Sequence, residues 1–151
     1  MEIRFSIPGD PKGKQRPRVV RTNGFSRTYT PEQTLNYENM VKWCYKQANG
    51  TMFSGAVSVS IIAYYGIPKS VSKKKRQQMI DAQIRPTKKP DLDNIAKLIC
   101  DSLNGIAYHD DSAVVDLHVR KYYSETPCVN VVILDTPDES IPFSIGGLYG
   151  E

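Results

Sequence analysis

Residues 88–114 read KKPDLDNIAKLICDSLNGIAYHDDSAV, and the order of signals in them sets the fold class. Pro90 is unsuited to a helix interior, Asp91 is a good N-cap after it, and Leu92, Ile95, Ala96, Ile99 and Leu103 recur at helical spacing. Gly105 is a natural stop for that helix. Beyond it, AVVDLHVRKYY and, past a turn at Thr126-Pro127, CVNVVIL are rich in β-branched residues and are expected as a strand pair.

Upstream, EIRFSI (2–7) alternates polar and apolar residues as a half-buried strand does, and Pro8-Gly9 ends it. DPKGKQRPRVV has no apolar period and is expected as an exposed basic loop. VVRT and FSRTYT then flank Asn23-Gly24, the pair that best supplies the positive φ angles of a tight hairpin. Thr30-Pro31-Glu32-Gln33 has the chemistry of a helix start, with Thr30 as N-cap and Gln33 reaching back. Leu35, Val41, Cys44 and Tyr45, widened by Tyr37, Met40 and Ala48, mark the buried stripe of this helix, and Trp43 is assigned to core or dimer packing. GAVSVSIIAYY (55–65) reads as a central strand. Ser70 is expected to cap a short basic helix in SKKKRQQMIDAQ, and 82–90 is a polar linker. Strands and helices in this order fit an α+β domain, a mixed sheet with packed helices, better than a doubly wound parallel sheet. The domain is expected over 1–135, with 136–151 as a tail or arm.

A chain of 151 residues suffices for one core and not for two. It has no apolar run of the roughly 18 residues that a spanning helix needs, and MEIRFSIPGD lacks the apolar stretch of a signal peptide. A soluble cytoplasmic protein with no membrane partner is therefore expected. Cys44, Cys100 and Cys128 are odd in number and lack C-x-x-C spacing, which favours buried reduced thiols over a disulfide or zinc site. The net charge of +4 is unevenly spread. Residues 1–30 hold seven cations against Glu2 and Asp10, 69–89 hold eight against Asp81, and the remainder is strongly acidic. Basic segments beside an acidic one suit a polyanion held around a metal centre.

The chemistry lies in the same stretch that sets the fold. Asp91 and Asp93 stand at a helix N-terminus, where the dipole favours carboxylates, and Lys97 is one turn beyond Asp93. The chain turns back after Gly105, so Asp110 and Asp111 are expected near the same point. Singly, these residues read as a cap, a surface pair worth a few tenths of a kcal/mol and a turn. Together they form a cluster in which two charges 4 Å apart repel by about 4 kcal/mol at an effective dielectric near 20, and such a cluster needs a cation. Oxygen ligands without His or Cys select Mg²⁺ or Mn²⁺. A metal beside a lysine is the apparatus of phosphodiester hydrolysis.

Asp91-Leu92-Asp93-Asn94 with Lys97, then Gly105, Asp110-Asp111-Ser112 and Val114, resemble the signature of the RusA family of Holliday-junction resolvases. Pro8-Gly9 through Lys14, Arg16, Pro17 and Arg18 add to the resemblance. It implies a homodimeric, Mg²⁺-dependent endonuclease, often of phages and prophages, that nicks four-way DNA junctions symmetrically in recombination and repair. It also implies that Asp91, Asp93 and Asp111 hold the metal, with Asp110 as a further candidate, and that Lys97 is the catalytic lysine. Lys12, Lys14, Arg16, Arg18 and the run Lys73, Lys74, Lys75, Arg76 are the expected DNA contacts. The basic stretch SVSKKKRQQMIDAQIRPTKK is an insertion relative to the compact family pattern. Two alternatives stay open: a flap or fork nuclease on the same fold, and a branched-DNA-binding module without catalysis.

Overall fold

The computed structural model describes residues 1–135, so the expected tail or arm at 136–151 lies outside the described residues. The elements are β1 (Glu2–Pro8), β2 (Arg18–Thr22), β3 (Phe25–Tyr29), α1 (Glu32–Gln47), β4 (Val57–Gly66), α2 (Lys73–Ile80), α3 (Leu92–Ser102), β5 (Val114–Ser124) and β6 (Cys128–Leu134). They form the expected α+β domain with a mixed sheet. The sheet has the order β1-β6-β4-β5, and β2 and β3 make a separate hairpin. Within the sheet β4 pairs antiparallel with β6 and parallel with β5.

Alternation along β4 separates the two faces of the sheet. Val57, Val59, Ile61, Ala63 and Tyr65 are buried and point with Val129, Val131, Ile133, Phe5 and Ile7 toward the helices, whereas Ser60, Ile62 and Tyr64 on the other face are only partly covered. α3 supplies the matching stripe: Ile95, Leu98, Ile99 and Leu103 are fully buried. Truncating any one of them to alanine is worth about 2–5 kcal/mol in such a site. Tyr108 continues the layer, its hydroxyl donating to Cys100 O at 2.7 Å.

The expected strand pair β5–β6 is corrected: β4 lies between the two. The three-residue connection 125–127 crosses the end of β4, and Pro127 lies against Gly66. Consecutive strands pair more often than not, but β4 is apolar or small along its whole length and takes the interior position.

Local expectations also shift at the helices. α1 buries Thr34, Tyr37, Val41, Cys44 and Tyr45, while Leu35, Met40 and Trp43 stay exposed, Trp43 by 62%. Trp43 is therefore not a core residue. Pro31, with no side-chain hydrogen bond, occupies the N-cap of α1 in place of Thr30, and Ser72, accepting from Lys75 N, caps α2 in place of Ser70. Leu92, expected on the buried side of α3, is exposed. Cys44, Cys100 and Cys128 are free thiols. Among the described residues no helix is long and apolar enough to cross a membrane.

Candidate active site

α3 presents its charged residues along one edge. Asp93, Lys97 and Asp101 follow at four-residue spacing, so they lie one above another on the helix surface. Asp91 stands at the N-cap in extended conformation, yet its side chain makes no capping hydrogen bond. Its carboxylate is thus left available for another ligand.

The return of the chain is set by the turn after α3. Gly105 adopts φ +75°, its N–H donates to Tyr108 O at 2.7 Å, and buried Tyr108 pins this turn to the end of the helix. Asp111 follows at the start of a 3-10 turn, Asp111–Ala113. Its carboxyl faces that of Asp101, and the hydrogen bond the two can share only when one is protonated, together with partial burial and the charges of Asp110 and Asp101, raises its pKa above the ordinary carboxylate value. Asp110 has a different task. Its Oδ2 accepts from Ser112 N at 3.2 Å, and this hydrogen bonding holds its pKa low.

Asp93, Lys97 and Asp111 line one groove of about 380 Å³ between α3 and β5, with Val115 and Leu117 as its apolar wall. Asp91 lines the neighbouring cleft of about 530 Å³, together with Lys12, Lys14, Lys89, Gln33 and Asn94. The acids are therefore spread along the helix. Asp93 and Asp101 are eight residues apart, about 12 Å of helical rise, and Asp111 stands nearer the far one. Consistent with that spread, no three His, Cys, Asp or Glu side chains among the described residues gather into one ligand set. The oxygen donors that share the groove are the carboxylates of Asp93 and Asp111, which fit a hard divalent cation. Cys100, also in the groove, is held as the neutral thiol, because burial pushes it up to about 11.

Two acids and one contact escaped the sequence reading. Asp101 was visible as the next step of the 93/97 spacing. Glu38 carried no signal, since its role depends on α1 packing beside α3. Between them lies Lys14, whose Nζ is 2.8 Å from Asp101 Oδ2 and 3.3 Å from Glu38 Oε1. Burial alone would lower the Lys14 pKa, but the hydrogen bond to Asp101 and the charges of Asp101 and Glu38 outweigh it and hold it above 10.5. Lys14 was expected as an exposed DNA contact. It is instead largely covered and committed to two carboxylates, while its backbone N–H donates to Asn94 O at 3.2 Å. Gly13 permits this approach, because a Cβ there would stand 2.9 Å from Pro90 Cβ.

The other expected DNA contacts remain outside. Lys12, Arg16 and Arg18 are exposed beside the Asp91 cleft, and so are Lys73, Lys74 and Lys75 on α2, whereas Arg76 pairs with Glu125 at 3.3 Å. The rest of this basic segment is a strap across the end of the sheet. Arg85 lies 4.3 Å above the Tyr122 ring and donates to Lys121 O, Lys121 donates to Lys88 O at 2.6 Å, and the Tyr65 hydroxyl donates to Pro90 O. The strap thereby fixes the backbone immediately before Asp91.

The chain is 40% identical over 134 residues to the uncharacterized protein YqaN of Bacillus subtilis (strain 168), covering 87% of this chain and 94% of that one. A family model described as endodeoxyribonuclease RusA matches residues 8–134, from the end of β1 to the end of β6 and across the whole acidic groove. The chain belongs to the RusA endodeoxyribonuclease family.

Proposed function

We propose that this protein resolves four-way DNA junctions by paired symmetric nicks, acting as a homodimer with Mg²⁺, for which Mn²⁺ can substitute. The observation that carries the reading is the groove shared by Asp93, Lys97 and Asp111 in a chain whose family match spans it. Asp93 and Asp111 would hold the cation, with Asp91 as the further carboxylate whose oxygens no cap consumes. A bound divalent ion supplies an activated water and polarises the scissile phosphate.

The remaining work falls to the chain itself. The Lys97 ammonium, one turn from Asp93, offsets the charge that grows on the phosphate oxygens in the transition state. Val115 and Leu117 wall the groove with apolar surface. Lys12, Lys89, Arg16 and Arg18 hold the strand through its phosphates, which fixes position without reading sequence. Cutting two opposed strands requires two such sites, and a two-fold dimer supplies them.

The test is incubation with Mg²⁺ and labelled four-way, forked and linear duplex DNA. Symmetric nicks in the four-way junction are expected, with little cutting of linear duplex and none in EDTA. Preferential cutting of forks or flaps would move the reading to that substrate, and absence of cutting on every substrate would overturn it.

A further inference from the structure

The hairpin β2–β3 takes no part in the core. All ten of its strand residues are exposed, and its extensive contacts are confined to its own two strands. A lone two-stranded hairpin is marginal in water, and this one holds apolar side chains in solvent: Phe25 is 80% exposed and Val19 60%. Each strand is five residues long, so the arm reaches about 17 Å. At its tip Asn23 and Gly24 take φ +51° and +82°, the two-residue turn that matches strand twist, and Phe25 follows at once, opposite Thr22.

Register places Arg18, Val20, Phe25, Arg27 and Tyr29 on one face of the arm. Residues 11–30 contain six cations and no carboxylate. An aromatic tip with guanidinium groups behind it is the composition of a wedge that enters a base step while its cations grip the flanking phosphates. The arm also stands where such a wedge is useful. Gln15 and Gln33 line both the cavity at its root, with Arg18 and Tyr29, and the cleft that contains Asp91.

We infer that the hairpin is a branch-sensing wedge, its arginines bound to phosphates and Phe25 stacked on a base left open where the duplex is interrupted. The inference rests on the reading of this chain as a branched-DNA nuclease and adds the element that tells a branch from a linear duplex. Unstacking a base step inside a duplex costs a few kcal/mol. At a branch point much of that cost is already met, so a wedge favours branches without reading sequence.

The test uses a four-way junction with 2-aminopurine at the branch, and a linear duplex of the same sequence, both in EDTA so that nothing is cut. Wild type and Phe25→Trp should alter the 2-aminopurine fluorescence on binding. Phe25→Ala should leave it at the free-DNA level and lower the preference for junction over duplex by about 10-fold or more, the scale of one stacked base. Its melting temperature should not move, because Phe25 touches no core. Arg18→Gln with Arg27→Gln should reduce the salt slope of binding by about 0.9 per lost phosphate contact. A Phe25→Ala protein with the wild-type fluorescence change would overturn the wedge, as would one that loses self-association with its DNA signal intact, which would assign the arm to a second copy. If wild type cuts junctions in Mg²⁺ while Phe25→Ala is indistinguishable from it, the wedge falls and the nuclease reading stands. If wild type neither binds nor cuts any DNA, both fall.

Discussion

Asp93 and Lys97 sit one turn apart on an exposed helix edge, and among the described residues Lys97 has no ion-pair partner. Neither side chain holds the core, so their replacement should be felt in rate. Asp93→Asn is expected to abolish cleavage while junction binding stays intact or tightens, since a ligand and a negative charge are lost together; normal Mg²⁺-dependent cutting by this variant would remove Asp93 from the metal site. Lys97→Ala should lower kcat by on the order of 10²-fold with affinity and melting temperature close to wild type. Arginine should restore only part, because a planar fork does not reproduce a compact charge. Greatly weakened binding with unchanged single-turnover cleavage would make Lys97 a DNA contact. Lys14 should behave oppositely. Lys14→Met leaves Asp101 and Glu38, both largely covered, without their cation, and should cost about 1–3 kcal/mol at neutral pH. The folded-state pKa of Lys14 is raised, so its contribution is complete below 10.5 and is lost as pH rises through the higher folded value. Melting curves of the two proteins should therefore converge at strongly alkaline pH, and a constant gap would point to lost packing instead.

At the scale of elements, α2 and the strap that follows it divide one basic segment into two roles. The strap is spent on the sheet, through Arg85 on Tyr122 and Lys121 on Lys88 O, whereas Lys73, Lys74 and Lys75 project from α2 without partners among the described residues. Replacing these three lysines by glutamine should lower the dependence of log affinity on log salt by about 0.9 for each phosphate contact removed, with stability unchanged. An unchanged slope would show that α2 faces away from DNA.

At the scale of the whole molecule, one sheet face is covered by helices and α1 leaves Leu35, Met40 and Trp43 in solvent. Two opposed nicks need two groove sites, and the exposed side of α1 is the leading candidate for the surface that pairs them, with the open face of the final strands as the other. Light scattering should give twice the chain mass of 17.0 kDa, and Trp43→Lys should reduce it to one chain if α1 is the interface. A single-chain mass for wild type, with and without junction DNA, would argue against paired nicking.

The sequence by itself determined what depends on near neighbours along the chain. The Asn23-Gly24 hairpin, the amphipathic stripe of α3 and the alternation of β4 follow from backbone preference and apolar period, and the Asp91, Asp93, Lys97 spacing follows from helical geometry. Even Asp101 was legible as the next residue of that spacing. Tertiary structure alone decided what depends on distant segments. β4 entered between β5 and β6 because an apolar strand gains most from an interior position. Trp43 stayed out of the core because α1 meets β1 and α3 through another face. Lys14 turned from the solvent to Asp101 and Glu38, which stand on two different helices. Asp111 came to rest beside Asp101 because buried Tyr108 ties the intervening turn to the helix end. Charge and period are properties of a segment, but the partner of a charge is fixed only when the core has packed.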